Sequence, residues 1–187
     1  LATMYLASED FKNGWKEYEW RFRKEEMIPH IIRHKDIFSK PLFTGAEDIK
    51  GKVLLLHSEQ GYGDSIQFIR FLPQIKEKFG CKIAVKCREG LKELFQTMSE
   101  IDVIADRNEA TPQFDYQLSI MSMPFVLGMK SINDLPKRIP YLKSTPYKEL
   151  EIKKEKGKIN IGICWSASVT GESYEGKVFD LKFFEPL

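Results

Sequence analysis

The segment Val53-Leu54-Leu55-Leu56-His57-Ser58-Glu59-Gln60-Gly61-Tyr62-Gly63-Asp64-Ser65-Ile66-Gln67-Phe68 holds the residues best placed to do chemistry. An apolar run leads into a polar stretch with two glycines, a carboxylate follows directly, and an amphipathic stretch comes after it. This pattern reads as a buried strand, a loop and a helix start, and in open α/β sheets ligands bind beyond the carboxyl ends of the strands. Gly61 and Gly63 are expected to let the backbone turn sharply and approach a ligand with no Cβ in the way. Asp64 falls at or just before the first helical turn, where the helix dipole favours its ionised form. A carboxylate there accepts a proton from an attacking hydroxyl, or it caps the helix, and the local pattern leaves both open. Glu59 and Gln60 either orient an acceptor hydroxyl or hydrogen-bond the loop to itself. His57, at the end of the strand, reads as a structural histidine rather than a base.

Other chemistries fit less well. The dinucleotide fingerprint GxGxxG needs a small third residue for close helix packing, and Gly61-Tyr62-Gly63-Asp64-Ser65-Ile66 places Ile66 there. No Gly-Lys-Ser or Gly-Lys-Thr follows, which disfavours a phosphate-binding P-loop. His30 and His34 have the spacing of a helical metal pair but no Glu between them and no third ligand nearby, so no metal site is expected. Cys81, Cys87 and Cys164 form no CxxC pair and lie in or beside apolar runs, as buried reduced thiols do. Twenty-nine Lys and Arg against 27 Asp and Glu leave a net charge of +2, too balanced for a polyelectrolyte partner of nucleic acid or an anionic membrane. Any anion site must be local. The longest apolar runs, Val53 to Leu56 and Ile159 to Trp165, fall far short of the roughly 20 residues that span a bilayer.

The elements that must position the loop are legible as patterns. Residues 1–28 read as a helical hairpin, with Leu1, Met4 and Tyr5 forming one apolar stripe and Phe11, Trp15, Tyr18 and Phe22 another. Ser8 is the expected N-cap between them. A single hairpin cannot bury both faces, so it stacks on earlier repeats or packs on the following domain. Residues 29–50, with Pro29, Pro41 and Gly45, show no sustained period and read as a linker. From Gly51 short apolar strands alternate with amphipathic helices, the signature of a parallel sheet covered by helices over residues 51–145. Strands are expected at Val53 to His57, Ile83 to Cys87, Ile101 to Ala105 and Phe114 to Ile120. Helices are expected at Ser65 to Phe79, closed by Gly80, and at Leu91 to Met98. A Pro-rich, charged stretch reaching Lys158 reads as an interdomain linker, placed at 146–158. Residues 159–187 then read as the start of a second α/β unit, with a strand from Ile159 to Trp165. The chain opens inside a helical pattern and stops at Phe183-Phe184-Glu185-Pro186-Leu187, with no signal-peptide pattern in view, so a piece of a longer protein is expected.

Across almost the whole chain the residues resemble bacterial proteins in which tetratricopeptide (TPR) repeats lead into a glycosyltransferase-like domain, related to O-linked N-acetylglucosamine transferases and heptosyltransferases. The resemblance rests on Asp10-Phe11, Gly14-Trp15 and Tyr18-Glu19-Trp20-Arg21, then Pro41, Gly45 and Gly51-Lys52. Its strongest part is Glu59 to Phe68, and it continues through Phe114-Asp115, Ser122-Met123-Pro124, Pro140-Tyr141-Leu142 and Ile161-Gly162-Ile163-Cys164-Trp165-Ser166.

The resemblance implies a GT-B-type architecture of two Rossmann-like halves, this chain holding the acceptor-side half, a TPR-like hairpin before it and only the beginning of the donor-side half. It implies transfer of a sugar from a nucleotide-sugar co-substrate to a hydroxyl of a glycan, a lipid-linked or a protein acceptor, in the cytoplasm and without a metal cofactor. Gly63-Asp64 matches the Gly-Asp pair whose Asp is the proposed base in heptosyltransferase relatives. Lys177, with Ser166 and Ser168, would meet the donor phosphates. The family more often shows Arg-Ser near Lys177, whereas this chain reads Gly176-Lys177-Val178-Phe179. Two rival readings remain: a TPR-linked interaction scaffold with a catalytically silent domain, and a nucleotide-dependent oxidoreductase on the same sheet.

Overall fold

The computed structural model describes residues 1–28, 31, 34–144, 152, 153, 155–163 and 180–185 of the 187. The chain divides into two compact units, Leu1–Thr145 and Pro146–Leu187. The first is an α/β unit around a four-stranded, all-parallel sheet in the order β3-β2-β1-β4. Its strands are β1 (Val53–His57), β2 (Lys82–Cys87), β3 (Val103–Asp106) and β4 (Tyr116–Ser119). In register, Val53 faces Lys82 and His57 faces Lys86, while Leu54 faces Tyr116 on the other side. The continuous apolar run of β1 suits its central place, since a strand covered on both faces needs no polar alternation.

Period-2 alternation sends Leu54, Leu56, Ile83, Val85 and Cys87 into the main core, where helices cover them. The opposite face is thinner. Leu55 and Ala84 meet Ile37, with Phe38, Val53 and Phe114 at the margin.

The N-terminal hairpin comprises α1 (Ala2–Ala7) and α2 (Phe11–Tyr18). Its N-cap is Asp10, not Ser8 as the sequence suggested: the Asp10 carboxylate accepts from the Asn13 N–H at 3.2 Å and from its side-chain amide at 2.8 Å. Ser8 instead closes α1, its hydroxyl donating to the Tyr5 carbonyl, and Glu9 at φ 63° redirects the chain. The helices approach closely at Gly14, where a Cβ would lie 2.6 Å from Leu6 Cδ2. Of the two arrangements open to the hairpin, packing on the following domain is observed. Phe11, Trp15 and Tyr18 lie against the main core, Trp15 edge-on to Phe68 with ring centroids 5.7 Å apart. Phe22 leaves the stripe, because the chain tightens into a 3-10 turn over Glu19–Arg23.

The single helix expected from Ser65 to Phe79 is two, α4 (Tyr62–Ile69) and α5 (Leu72–Phe79), following the short α3 (Lys35–Phe38). Pro73 explains the break: it has no N–H for the Ile69 carbonyl, and its ring crowds that oxygen. Gly80 closes α5 in the left-handed region, as expected. The helix expected from Leu91 shortens to α6 (Lys92–Phe95), with the Thr97 hydroxyl capping the Leu94 carbonyl at 2.7 Å. β3 begins two residues later than expected, after Asp102 has bonded both the Ile83 N–H and its carbonyl. After β4 the chain forms α7 (Met123–Leu127), closed by Gly128. The stretch read as a linker contributes to the fold. Leu42 pairs in parallel with Gln117, and Phe43 and Ile49 are each only 1% exposed. Isolated buried residues carry no period, which is why the pattern missed them.

In the second unit, Ile159–Ile163 carries no regular secondary structure and Ile159 is 87% exposed, so the strand expected there is absent from its described part. A short turn over Leu181–Phe184 is capped by Asp180. His30, Cys164, Ser166, Ser168 and Lys177 lie outside the described residues. Among those described, no helix is long and apolar enough to cross a membrane, and no group of three or more His, Cys, Asp or Glu could hold a metal ion.

Candidate functional site

β1 extends its ladder by one residue, the Ser58 N–H donating to the Lys86 carbonyl at 3.0 Å, and then releases the loop. Gly61 is the N-cap of α4 at φ −68° and ψ 176°, a conformation open to any residue. Glycine is therefore not required there for a sharp turn, contrary to the expectation from sequence. What it provides is space: a Cβ would stand 3.0 Å from Asp64 Oδ2. Around Gly63 a Cβ would meet nothing within 4 Å among the described residues.

Asp64 occupies the third position of α4 and is half-buried. Its Oδ2 accepts from the Gly61 N–H at 2.9 Å, which satisfies one of the orphan donors at the helix start. Its Oδ1 has no hydrogen-bond partner among the described residues. The two readings left open by the sequence thus coexist: one oxygen caps the helix, and the other is available to a ligand.

The loop is pinned from both sides. From the hairpin, the Tyr18 hydroxyl accepts from Gln60 Nε2 at 3.1 Å, and burial raises the Tyr18 pKa. From β2, Arg88 donates to the Gln60 carbonyl at 2.7 Å and lies over the Tyr62 ring at 4.7 Å. Ser65 ties back to Ser58, hydroxyl to hydroxyl, at 3.0 Å. Gln60, Gly61, Gly63 and Asp64 therefore form one held surface.

Glu59 is separate from that surface. Its side chain is 1% exposed, and its carboxylate takes Arg21 Nε at 2.5 Å and Nη2 at 3.2 Å. Arg21 further donates from Nη1 to Glu19 at 2.7 Å and to the Tyr18 carbonyl at 3.1 Å, and from Nη2 to Ser122 at 2.7 Å. Burial works against the Arg21 charge, but the hydrogen bond and charge of Glu59, joined by Glu19, outweigh it and raise its pKa. The place of this cluster is informative. The strand order reverses between β1 and β4, and ligands of open α/β sheets commonly bind at that point. Here Glu59 follows β1, Ser122 follows β4, and Arg21 fills the space between them.

A second concentration of charge lies on the thin face, at the carboxyl ends of β1 and β2. His34, His57, Lys86, Arg88 and Arg107 line a crevice there together with Ile37, Ser58 and Cys87. His57 is 1% exposed, its Nε2 stands 2.9 Å from the Gln117 side-chain oxygen and its ring lies edge-on to Phe38, as befits a structural histidine. Sequence reasoning missed Arg21, Lys86, Arg88 and Arg107. A usable signal existed for one of them: Lys86 interrupts the apolar run that begins at Ile83, on the face it shares with His57.

The chain is similar to Protein FlbA of Caulobacter vibrioides, with 28% identity over 191 residues that cover 89% of this chain and 30% of that protein. It thus spans less than a third of the length of that curated relative. No family model matches the chain, and no solved structure matches it.

Proposed function

We propose that this chain is the acceptor-side part of a cytoplasmic glycosyltransferase, a Rossmann-like half of a GT-B-type enzyme preceded by a TPR-like hairpin. The observation that carries the reading is the Asp64 carboxylate, held by the Gly61 N–H through one oxygen and open at the other, on a loop at the carboxyl end of the central strand. The sheet order β3-β2-β1-β4 supports it, being that of the first four strands of a doubly wound nucleotide-binding sheet. In this mechanism an acceptor hydroxyl rests over Gly61 to Asp64 and attacks the anomeric carbon of a nucleotide-sugar. Asp64 Oδ1 takes the hydroxyl proton as the new C–O bond forms and the bond to the donor phosphate breaks. The departing phosphate needs positive charge or N–H donors, the role assigned to Lys177, Ser166 and Ser168. Arg21 in the switch-point space weighs against the oxidoreductase reading, because a dinucleotide would need that space.

The test is Asp64→Asn in the longer protein that includes the donor half. Asparagine still accepts the Gly61 N–H through its carbonyl oxygen, so the fold is kept. Loss of a general base costs about 10²- to 10⁴-fold in rate. Sugar transfer at more than a tenth of the unmutated rate would remove Asp64 as the base.

One observation favours a scaffold reading. No residue of α1 is buried, and Leu1 and Met4 are each 72% exposed, an apolar surface suited to a neighbouring repeat or a protein partner. Nucleotide-sugar binding by the longer protein separates the two, since a pure scaffold shows none.

A further inference from the structure

We propose that the crevice lined by His34, His57, Lys86, Arg88 and Arg107 binds one oxyanion, a carboxylate or phosphate group carried by a saccharide. Among the described residues no carboxylate side chain lines this crevice, although the chain as a whole is nearly neutral at +2. Lys86 is a strand residue only 8% exposed, and it forms no salt bridge among the described residues; its ammonium donates to the Glu109 carbonyl. Burying a cation is costly, and the nearest carboxylate, Glu109, is itself held by Lys92, so an anion entering the crevice would lower that cost. Among the described residues Arg88 also lacks a carboxylate partner, and its Nε is buried with no hydrogen-bond acceptor, a donor left over after Nη1 has bonded the Gln60 carbonyl. Arg107 is exposed and makes no ion pair or hydrogen bond among the described residues.

The space among these groups is about 20 Å³, room for one oxygen of an anionic group and not for a ring. It adjoins a cleft of about 440 Å³ that shares His34, Lys86 and Arg107 and adds Asp36, Glu109 and Thr111, groups able to bond hydroxyls. The combination suits a charged sugar, with its oxyanion in the crevice and its ring in the cleft. Arg88 joins the crevice to the Gln60–Tyr62 side of the Asp64 loop. That the anionic sugar is the acceptor rests on the transferase reading; the binding itself does not.

The test is an NMR titration of the 187-residue chain with inorganic phosphate, acetate, glucose 6-phosphate, glucuronate and glucose, at ionic strength held constant with NaCl. The expected result is saturable shifts of the Arg88 and Arg107 Nε–H signals with the anions and none with glucose. The stronger of glucose 6-phosphate and glucuronate identifies the group bound. Arg107→Gln, at an exposed position, and Lys86→Met should each weaken binding about tenfold or more, as loss of a charged hydrogen bond does. Shifts that fail to saturate, or equal affinity in Arg107→Gln, would overturn the proposal even if Lys86→Met fails to fold. The titration uses no donor and reads no turnover. Its failure leaves the transferase reading standing, and failure of the Asp64 test leaves the anion site standing.

Discussion

Replacing Arg21 with methionine should destabilise the Leu1–Thr145 unit by about 3–5 kcal/mol, the usual consequence of removing one partner from a buried ion pair. A guanidinium has five N–H donors, and all of those on Arg21 are engaged: two on Glu59 and one each on Glu19, the Tyr18 carbonyl and Ser122. The group is 8% exposed and packs over the Tyr18 and Phe22 rings at 4.6 and 4.2 Å. Methionine fills much of the volume, so the loss is electrostatic: the Glu59 carboxylate, 1% exposed, is left in place without its cation. Against a typical domain stability of about 5–15 kcal/mol this is a large fraction. Urea unfolding followed by circular dichroism and tryptophan fluorescence measures it. The decisive comparison is a double-mutant cycle with Glu59→Met, in which the doubly substituted chain should recover more than about 1 kcal/mol relative to additivity because no buried charge remains unpaired. A cost below about 1 kcal/mol for Arg21→Met, or strict additivity with Glu59→Met, would refute the reasoning.

Two further outcomes follow from the burial and pairing of single groups. Burial pushes the Cys87 thiol up to about 11 and also raises Cys81, so in a Cys164→Ser background a disulfide reagent at pH 8 should label both only as fast as the protein unfolds; rapid labelling of the native protein would contradict this. Asp102 lies below the ordinary 3.8, because the Ile83 N–H at 2.7 Å and Lys76 at 2.8 Å outweigh the opposing effect of burial. A depressed folded-state value stabilises above 3.8 and loses that contribution as pH falls through it. Asp102→Asn should therefore lower the urea midpoint at pH 7 and leave it unchanged in strong acid, and a deficit of equal size at every pH would count against the assignment.

The parallel sheet was legible because its signal is redundant. The runs at 53–57 and 83–87 are apolar, bounded by Gly51 and Gly80, and separated by a helical pattern, and each feature points to the same element. The Asp64 loop was legible for the same reason, since it must follow a central strand. Pro73 was in plain view but was outweighed by an apolar period that continues across it, although the missing N–H ends α4. Phe43 and Ile49 were hidden because each is buried alone, with no period to announce it. The Arg21 cluster could not be read from spacing: Arg21 lies 38 residues from Glu59 and 101 from Ser122, and only the fold brings them together. Glu59 illustrates the cost of that blindness, having been read with the loop surface when its side chain points into the hairpin's cation.

The same cluster links the hairpin to the site. Arg21 and Tyr18 belong to the hairpin, yet they hold Glu59 and Gln60, the residues that set the path of the chain into Gly61 and Asp64. The hairpin is thus part of what shapes the loop rather than a detachable neighbour, and shifting it would move Asp64. Its arginine also occupies the reversal point between β1 and β4, bonding Glu59 after β1 and Ser122 after β4. Lys86, Arg88 and Arg107 gather at the carboxyl ends of β1 and β2, and Arg88 reaches from there to the Gln60 carbonyl. If both proposals hold, the ligand is a hydroxyl-bearing molecule whose anionic group sits beyond β2, and Arg88, which bonds the Gln60 carbonyl, is the residue that links that crevice to the Asp64 loop.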